Sequence, residues 1–384
     1  MKPTVGFIGL GMIGRPMAER LLEQGLPLVV WNRTAEKAEA LVRRGAARAA
    51  SPRGLAARTD IVLTTVTDGP ALEGVTLGPD GLAAALGRGK AHCDMSTIDL
   101  DTSRRLAAHY AARGVHFLHA PVLGSKRAAA TGTLLIFAGG PREGFQACAP
   151  VFAALGKRTW HWEEAPTATC VKLACNLLLG GMMELFSESL VLAGRAGVAP
   201  AAMLEIFAAS ALAAPMYQAK GETLARRDFT PNFFLRNMLK DMNLVLSAGK
   251  QLGVELPGTR AVRGAYAAAS EHGLTERDYS AVFQWLDQSA ARRRAVVLGP
   301  PLGRRRSSAA SEMIRPVSCA ERTSSSPWSC PEHAPSAAPM LPPASTAWPS
   351  GTIPQCSSGS SSPLPAAPRS SPGTSSGQGP KQGG

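Results

Sequence analysis

Residues 4–24 read TVGFIGLGMIGRPMAERLLEQ, and this stretch decides how the chain folds. A short β-branched and apolar run from Thr4 to Gly9 is typical of a buried strand. The spacing G-x-G-x-x-G follows from Gly9 to Gly14, and a helical pattern continues to Gln24. A strand, a glycine-rich turn and a helix in this order predict the opening of a βαβ unit.

The glycine spacing predicts a turn that binds the phosphates of a nucleotide. The first glycine allows a tight turn, the second lets the backbone approach a pyrophosphate, and the third lets helix and strand pack closely. The helix N-terminus adds N–H donors and a partial positive charge. An ordinary glycine-rich turn is the alternative, but the strand and helix around the motif favour nucleotide binding. The predicted contacts are Gly9, Leu10, Gly11, Met12, Ile13 and Gly14.

The end of the second predicted strand indicates which dinucleotide binds. A site for NAD usually has an acidic residue there, which hydrogen-bonds the ribose 2′-hydroxyl. This strand ends in Asn32-Arg33-Thr34 and has no acid. Arg33 can hold a 2′-phosphate with a charge-assisted fork, so we predict NADP(H) as cofactor, with Asn32, Arg33 and Thr34 in contact with it. The alternative is that these residues only cap the next helix, a role that suits Thr and Asn.

Strand-like and helical segments alternate through the first half of the chain. Further strands are predicted at 28–31, 60–66, 90–95, 115–120 and 134–139, and helices at 35–44 and 99–113. From residue 168 onward the pattern is helical, with Pro200, Pro215, Pro231 and Pro257 at expected helix starts or loops. We therefore predict an α/β, Rossmann-type doubly wound sheet joined by a long helix to an all-α domain. The expected boundaries are 1–164, 165–197 and 198–290.

The composition changes abruptly near Ala290. All 11 Phe and all 4 Tyr precede this point, whereas residues 291–384 contain 16 of the 30 Pro and 20 Ser. Such a segment cannot bury enough apolar surface to offset its ordering entropy, so we predict a disordered tail at 291–384. Out-of-frame or read-through translation of GC-rich DNA is our leading hypothesis for its origin. Its clusters Arg292–Arg294 and Arg304–Arg306 lack aromatic neighbours, so we expect no specific recognition of nucleic acid.

Several classes of protein are excluded by composition and spacing. No apolar run reaches the ~18 residues of a membrane span without polar interruption, and we expect no membrane partner. The N-terminus enters a predicted strand at Thr4, which leaves no room for a signal peptide. The 7 Cys and 7 His show no ligand spacing, so we expect no metal site. A reducing, cytoplasmic location is expected.

Four stretches in this order resemble the β-hydroxyacid dehydrogenase family. The family includes 3-hydroxyisobutyrate dehydrogenase, tartronate semialdehyde reductase and the glyoxylate/succinic semialdehyde reductases. The stretches are GFIGLGMIGRPMAERLL at 6–22, DMST at 94–97, APVLGSKRAAATGTLLIFAGG at 120–140 and KLACN at 172–176. The resemblance covers about residues 1–290. The segments 32–34 and 124–126 resemble the branch that reduces aldehydes with NADPH.

The resemblance implies that Lys172 and Asn176 are catalytic. Residues four apart on one helix share a face, so the two side chains can act together. Reduction of a carbonyl develops negative charge on its oxygen, which needs a proton donor within hydrogen-bond reach. A partly desolvated lysine has a lowered pKa and can supply that proton, while the Asn amide orients the lysine or the substrate. The resemblance also implies cofactor contacts by Val66, Thr97 and Lys240.

The substrate contacts implied by the resemblance are Leu123, Gly124, Ser125, Phe233 and Asp241. At position 123 the family commonly has a polar side chain, and leucine can donate no hydrogen bond. The loss of one bond to a charged group costs about 1.5–3 kcal/mol, so very small acids should bind weakly or a longer, more apolar aldehyde is preferred. For Phe233, plain core packing is the alternative.

A second departure from the family is the segment Pro166-Thr167-Ala168-Thr169-Cys170, where the family tends to be rich in glycine. Glycine adopts backbone conformations that Pro and Ala do not. Either the cofactor is shifted or this segment follows another path.

The sequence therefore predicts an NADPH-dependent reductase of small aldehyde acids, or the reverse oxidation of 3-hydroxy acids, with Lys172 as proton donor. One alternative is an imine reductase, a class that shares the nucleotide motif and the Asn-Arg-Thr pattern. Another is a catalytically impaired NADP-binding module, which Leu123 and the missing glycines would explain. The long apolar helices lead us to expect a homodimer or tetramer.

Overall fold

The computed structural model describes residues 2–298, with side chains to residue 293. Nine strands are present within that range. They are β1 (Val5–Ile8), β2 (Leu28–Trp31), β3 (Ala47–Arg48), β4 (Ile61–Thr64), β5 (Ala91–Asp94), β6 (His116–His119), β7 (Val122–Leu123), β8 (Leu134–Gly139) and β9 (Gly156–Trp162).

Fourteen α-helices are described in the same part of the chain, besides four short 3-10 or π turns. Those of the first half are α1 (Gly14–Glu23), α2 (Glu39–Arg43), α3 (Pro52–Ala56), α4 (Gly69–Leu77), α5 (Leu100–Ala111), α6 (Lys126–Thr131), α7 (Arg142–Ala147) and α8 (Ala149–Leu155). Those of the second half are α9 (Ala165–Arg195), α10 (Pro200–Ala208), α11 (Pro215–Ala225), α12 (Leu235–Leu252), α13 (Pro257–Ala269) and α14 (Val282–Leu298).

The sheet has the order β3-β2-β1-β4-β5-β6-β8-β7, and β9 pairs with β8. The six strands from β3 to β6 are parallel, in the order that defines the Rossmann fold. This confirms the predicted fold class. Beyond β6, strand β8 runs antiparallel to β6 and β7 and parallel to β9.

Both faces of the sheet are buried, as a doubly wound sheet requires. In β1, Val5 and Phe7 pack into one apolar cluster, whereas Ile8 packs into another on the opposite face. All three side chains are fully buried. The order of β1 and β4 makes the crevice at their carboxyl ends the topological switch point, where ligands bind in open α/β sheets.

The long helix α9 connects the sheet to the helical half of the protein. Its first residue, Ala165, packs with the sheet, while Leu173, Met183 and Leu190 belong to the core of the helical half. The helix covers Ala165–Arg195, within the segment 165–197 expected for it. Pro166 fits the first turn of a helix, and the helix ends before Gly197, which has a φ of +90°.

By length and mean hydropathy, α9 is the one helix in residues 2–298 that could cross a membrane. The sequence predicted none, because polar residues interrupt the run. Three polar residues of the helix, Lys172, Asn176 and Glu184, are buried inside the protein itself. The core helix of a protein outside a membrane passes the same test, and the packing of α9 on both halves matches such a helix.

Three of the four prolines singled out by the sequence open helices, at Pro200, Pro215 and Pro257. Pro231 lies in the loop before α12. The final helix α14 continues to Leu298 and so passes the boundary predicted at Ala290, because residues 291–298 include no Gly or Pro. The rest of the predicted tail, 299–384, lies outside the described residues.

Candidate active site

Two glycines of the first turn are required by close packing of the backbone. Gly9 has a φ of +96°, and a Cβ there would lie 2.0 Å from the carbonyl oxygen of Thr65. A Cβ on Gly14 would lie 1.9 Å from the carbonyl oxygen of Gly9. The Thr65 hydroxyl donates a hydrogen bond of 2.9 Å to that same oxygen. The turn after β1 is therefore fixed against the loop after β4.

Gly11 is surrounded by open space. A Cβ on this residue would meet no atom within 4 Å. Helix α1 begins close by, and its first turn has neither a side-chain cap nor an acidic residue. Open space beside uncapped backbone N–H groups fits the pyrophosphate of a dinucleotide.

Asn32 braces the glycine turn from the end of β2. Its Oδ1 accepts a hydrogen bond of 2.9 Å from the backbone N–H of Leu10, and its Nδ2 donates one of 2.8 Å to the carbonyl oxygen of Thr34. Thr34 precedes a short helical turn, but its side chain makes no capping hydrogen bond. Arg33 is exposed and forms no ion pair within the described part of the chain. The hydroxyl of Thr34 and the guanidinium of Arg33 are thus available to a ligand.

Lys240 of α12 ties together the loops that follow β4 and β5. Its ammonium donates hydrogen bonds of 2.9 Å to the carbonyl oxygen of Thr67 and 2.8 Å to that of Thr97. It also forms a 2.9 Å ion pair with Asp241. Of the residues predicted to bind cofactor, Thr97 and Lys240 thus meet directly, and Val66 adjoins them in the loop after β4.

Lys172, Asn176 and Asp241 form a buried polar group between α9 and α12. The Asn176 amide donates a 2.6 Å hydrogen bond to Asp241 Oδ2, while its own Oδ1 is buried without a partner. Lys172 is 8% exposed and makes no hydrogen bond within residues 2–293. Burial lowers the pKa of its ammonium, and the nearby carboxylate of Asp241 opposes that shift. This group can hold a proton donor and orient it toward a substrate oxygen.

A second buried polar cluster lies under the same loops, and the sequence analysis did not identify it. It consists of Thr64, Asp94, Ser96, His119 and Thr169. Burial raises the pKa of Asp94 to about 6, against the hydrogen bonds from Thr64 and Ser96. Burial also lowers the pKa of His119 to about 4, so this imidazole is neutral at pH 7. Two features of the sequence could have indicated this cluster: the polar residues of DMST at 94–97, and His119 at the end of the next predicted strand.

Two family models together span the described globular part of the chain. Residues 4–171 match the NAD binding domain of 6-phosphogluconate dehydrogenase. Residues 167–286 match the NAD-binding domain of NADP-dependent 3-hydroxyisobutyrate dehydrogenase. The junction of the two models falls in the first turns of α9, immediately before Lys172.

Glyoxylate/succinic semialdehyde reductase 1 of Arabidopsis thaliana is 35% identical over 280 residues, which are 73% of this chain and 97% of the plant protein. The chain belongs to the β-hydroxyacid dehydrogenase family. It is accordingly an NAD(P)-dependent oxidoreductase that acts on a CH–OH group. The resemblance stated from the sequence is thereby confirmed.

Two solved structures of the fold agree with this membership. The 3-hydroxyisobutyrate dehydrogenase (ygbJ) of Salmonella typhimurium is 28% identical with a TM-score of 0.68, over 73% of this chain and 99% of that one. Psf3 in complex with NADP⁺ and 2-OPP is 25% identical with the same TM-score of 0.68, over 74% of this chain and 100% of that one.

The segment 123–125, for which the family resemblance implied substrate contacts, lies at the edge of the sheet. Leu123 belongs to β7 and pairs with Leu135 of β8. The Ser125 hydroxyl accepts a hydrogen bond of 3.4 Å from the N–H of Ala128, so it caps α6. Gly124 has a φ of +153°, and a Cβ there would lie 2.8 Å from Leu134. The exposed turn at 124–125 is therefore held by the Ser125 cap of α6 and by the close packing of Gly124 against Leu134.

The two predicted substrate contacts from the helical half, Phe233 and Asp241, lie in different surroundings. Asp241 is fully buried and contacts Asn176, as described above. Phe233 lies in the loop before α12, half-buried, with its ring 5.8 Å from that of Tyr279 in an edge-to-face arrangement. This contact is the core packing that the sequence analysis gave as the alternative for Phe233.

The segment 166–170, which departs from the family's glycine pattern, is helical. Pro166 and the following residues form the first turn of α9, with Ala165 and Ala168 buried against the sheet. At this contact the glycine belongs to the sheet, at Gly139 of β8. A Cβ there would lie 2.8 Å from the Cβ of Ala168. The segment 166–170 is therefore the helical start of α9 rather than a loop.

Proposed function

We propose that the chain is an NADPH-dependent reductase of small aldehyde acids, such as glyoxylate and succinic semialdehyde, or catalyses the reverse oxidation of 3-hydroxy acids. The observation that carries the proposal is the buried group of Lys172, Asn176 and Asp241 beside the loops at the switch point. A buried lysine outside a binding site would be costly without a partner, whereas a proton donor requires that position.

In the proposed reaction a bound nicotinamide supplies a hydride to the carbonyl carbon of the substrate. Lys172 donates its proton to the carbonyl oxygen as negative charge develops there. Asn176 is held by Asp241, and its free Oδ1 orients the ammonium or a substrate hydroxyl. Burial lowers the pKa of Lys172, which eases transfer of its proton to the developing alkoxide.

The preference for NADP(H) is part of this proposal. Arg33 is exposed at the end of β2, and the strand end carries no acid that would repel a 2′-phosphate. The relative that was solved with NADP⁺ has the same fold. We infer that Arg33 binds the 2′-phosphate, with the Thr34 hydroxyl and Lys37 beside it.

Replacing Arg33 by Ser is expected to raise the KM for NADPH about 10- to 100-fold, because one charge-assisted contact is lost. The KM for NADH should stay within about twofold, since NADH has no 2′-phosphate. Steady-state kinetics with both cofactors measure the ratio. Arg43→Ser is the matched control, because Arg43 is an exposed residue of α2 that is ion-paired with Glu39. Equal losses with NADPH and NADH would contradict the assignment.

A homodimer is also proposed. Leu178, Leu185 and Leu192 recur every seven residues on α9 and are 60%, 61% and 76% exposed. Leucines at that spacing form one stripe along a helix, and burial of the stripe would stabilise an assembly. A second copy of the chain supplies a matching stripe.

A cytoplasmic location remains our proposal, and four free cysteines in the described residues fit a reducing compartment.

The function is tested by NADPH oxidation with four substrates: the aldehyde acids glyoxylate and succinic semialdehyde, the plain aldehyde butyraldehyde, and a cyclic imine. Turnover of the aldehyde acids well above butyraldehyde supports the proposal, because butyraldehyde lacks the carboxylate. Turnover of the imine alone would identify an imine reductase. Binding of NADPH without turnover of any of these would favour a non-catalytic module, with Leu123 the first residue to examine.

A further inference from the structure

A chain of buried hydrogen bonds links the catalytic helix to the end of the sheet. Thr169 of α9 lies one turn before Lys172, and its hydroxyl is 2.7 Å from Nδ1 of His119. The other ring nitrogen of His119 is 3.1 Å from the carbonyl oxygen of Ser96. Thr169 and His119 are both almost fully buried, so no solvent competes for these contacts.

The same chain continues from Ser96 to the loop after β4. The Ser96 hydroxyl donates a 2.7 Å hydrogen bond to Asp94 Oδ1 and accepts one of 2.9 Å from the backbone N–H of Val66. Thr64 donates a second hydrogen bond, of 2.6 Å, to Asp94 Oδ1. The loops after β4 and β5 are thereby joined to each other beneath the site.

Close backbone packing against Gly139 also holds the start of α9. A Cβ on Gly139 would lie 2.4 Å from the carbonyl oxygen of Glu164 and 3.0 Å from the Cα of Ala165. The first turn of α9 therefore rests directly on the backbone of β8. Residues 169 and 172 are three apart and so share a helix face.

We propose that Thr169 and His119 are positioning residues, which hold the start of α9, and with it Lys172, at a fixed place relative to the loops that carry Val66 and Thr97. The contacts run from the Thr169 hydroxyl through the His119 ring to the Ser96 carbonyl, and from the Ser96 hydroxyl to the N–H of Val66. Neither Thr169 nor His119 touches the reacting atoms. The role of Lys172 rests on the proposed function, whereas the mechanical link between helix and loops does not.

The test is Thr169→Val, which keeps the shape of the side chain and removes its hydroxyl. The link predicts that backbone amides of residues 65–68 and 95–98 exchange hydrogen about threefold faster or more, although the substitution lies in α9. A purely local role would confine faster exchange to the start of α9. Thr169→Ser should restore the wild-type exchange rates, because it retains the hydroxyl.

Thr167→Val is the matched control. Thr167 lies on the same turn, is half-buried, and its side chain makes no hydrogen bond to any described residue. This variant should leave exchange in both loops unchanged. If Thr169→Val is not recovered folded, Ser96→Ala tests the link from the other end, with faster exchange expected at residues 165–171.

Kinetics supply the second measurement. Thr169→Val should lower kcat about 10-fold or more, because small displacements of reacting groups are costly, while the Kd for NADPH and the substrate KM stay within about twofold. Unchanged exchange in the two loops would overturn the link. Faster exchange with kcat unchanged would show that the link does not position Lys172. If the wild type turns over no substrate, the proposed function fails, and the exchange result still decides the link.

Discussion

Replacement of Lys172 by Met is expected to lower kcat for reduction of an aldehyde acid about 10³-fold, because general acid catalysis by one group contributes about 10²- to 10⁴-fold. Methionine has nearly the same length and no charge. The Kd for NADPH should change little, since no hydrogen bond of Lys172 holds the glycine turn. Cofactor fluorescence and steady-state kinetics measure the two quantities separately.

The stability of this variant distinguishes loss of the proton donor from damage to the fold. Burial lowers the pKa of Lys172, so the charged ammonium destabilises the folded protein relative to an apolar side chain of similar shape. The melting temperature of Lys172→Met should therefore be equal to that of the wild type or higher. Lys250→Met, at an exposed position on α12, is the control and should leave kcat unchanged. A Lys172→Met variant that keeps a tenth of the wild-type kcat would contradict the assigned role.

Gly14→Ala is expected to lower stability and Gly11→Ala to weaken cofactor binding, although both residues lie in one turn. A Cβ on Gly14 would collide with the backbone carbonyl of Gly9, and a backbone atom cannot move aside as a side chain can. We expect Gly14→Ala to lower the free energy of unfolding by about 3 kcal/mol, the upper part of the range for overpacking. Denaturant titration measures this loss.

Gly11→Ala should leave the stability unchanged, because a Cβ there meets no atom of the protein. The added methyl group occupies the space proposed for the pyrophosphate, so the Kd for NADPH should rise about 10-fold or more. Each variant serves as the control for the other. Wild-type NADPH affinity in folded Gly11→Ala would show that the cofactor does not pass over this turn.

The part of the fold that the sequence predicted best depends on local patterns. The strand, turn and helix at residues 4–24 follow from side-chain periodicity and from the backbone freedom of glycine, and both are properties of neighbouring residues. The strands Val122–Leu123 and Gly156–Trp162 were not predicted. They are set by pairing with β8, and such pairing depends on residues distant in the sequence.

In the candidate site, too, residues that belong to a local motif were predicted, and contacts between distant residues were not. Lys172 and Asn176 were found because the stretch KLACN at 172–176 resembles the family's catalytic motif, and a spacing of four residues puts both on one helix face. The contact of His119 with Thr169 spans 50 residues and depends on how α9 packs against the sheet, which no local pattern shows. Asn32 was predicted to contact the cofactor, and its side chain braces Leu10 and Thr34, a task visible only once β1 and β2 are paired.

The most direct test of the proposed reaction uses NADPH deuterated at C4 of the nicotinamide, with each stereoisomer in turn, and succinic semialdehyde as substrate. We expect one isomer to yield 4-hydroxybutyrate with deuterium on the carbinol carbon, and Lys172→Met to form this product about 10³-fold more slowly. Tight NADPH binding with no labelled product from either isomer, for succinic semialdehyde and for glyoxylate alike, would contradict it.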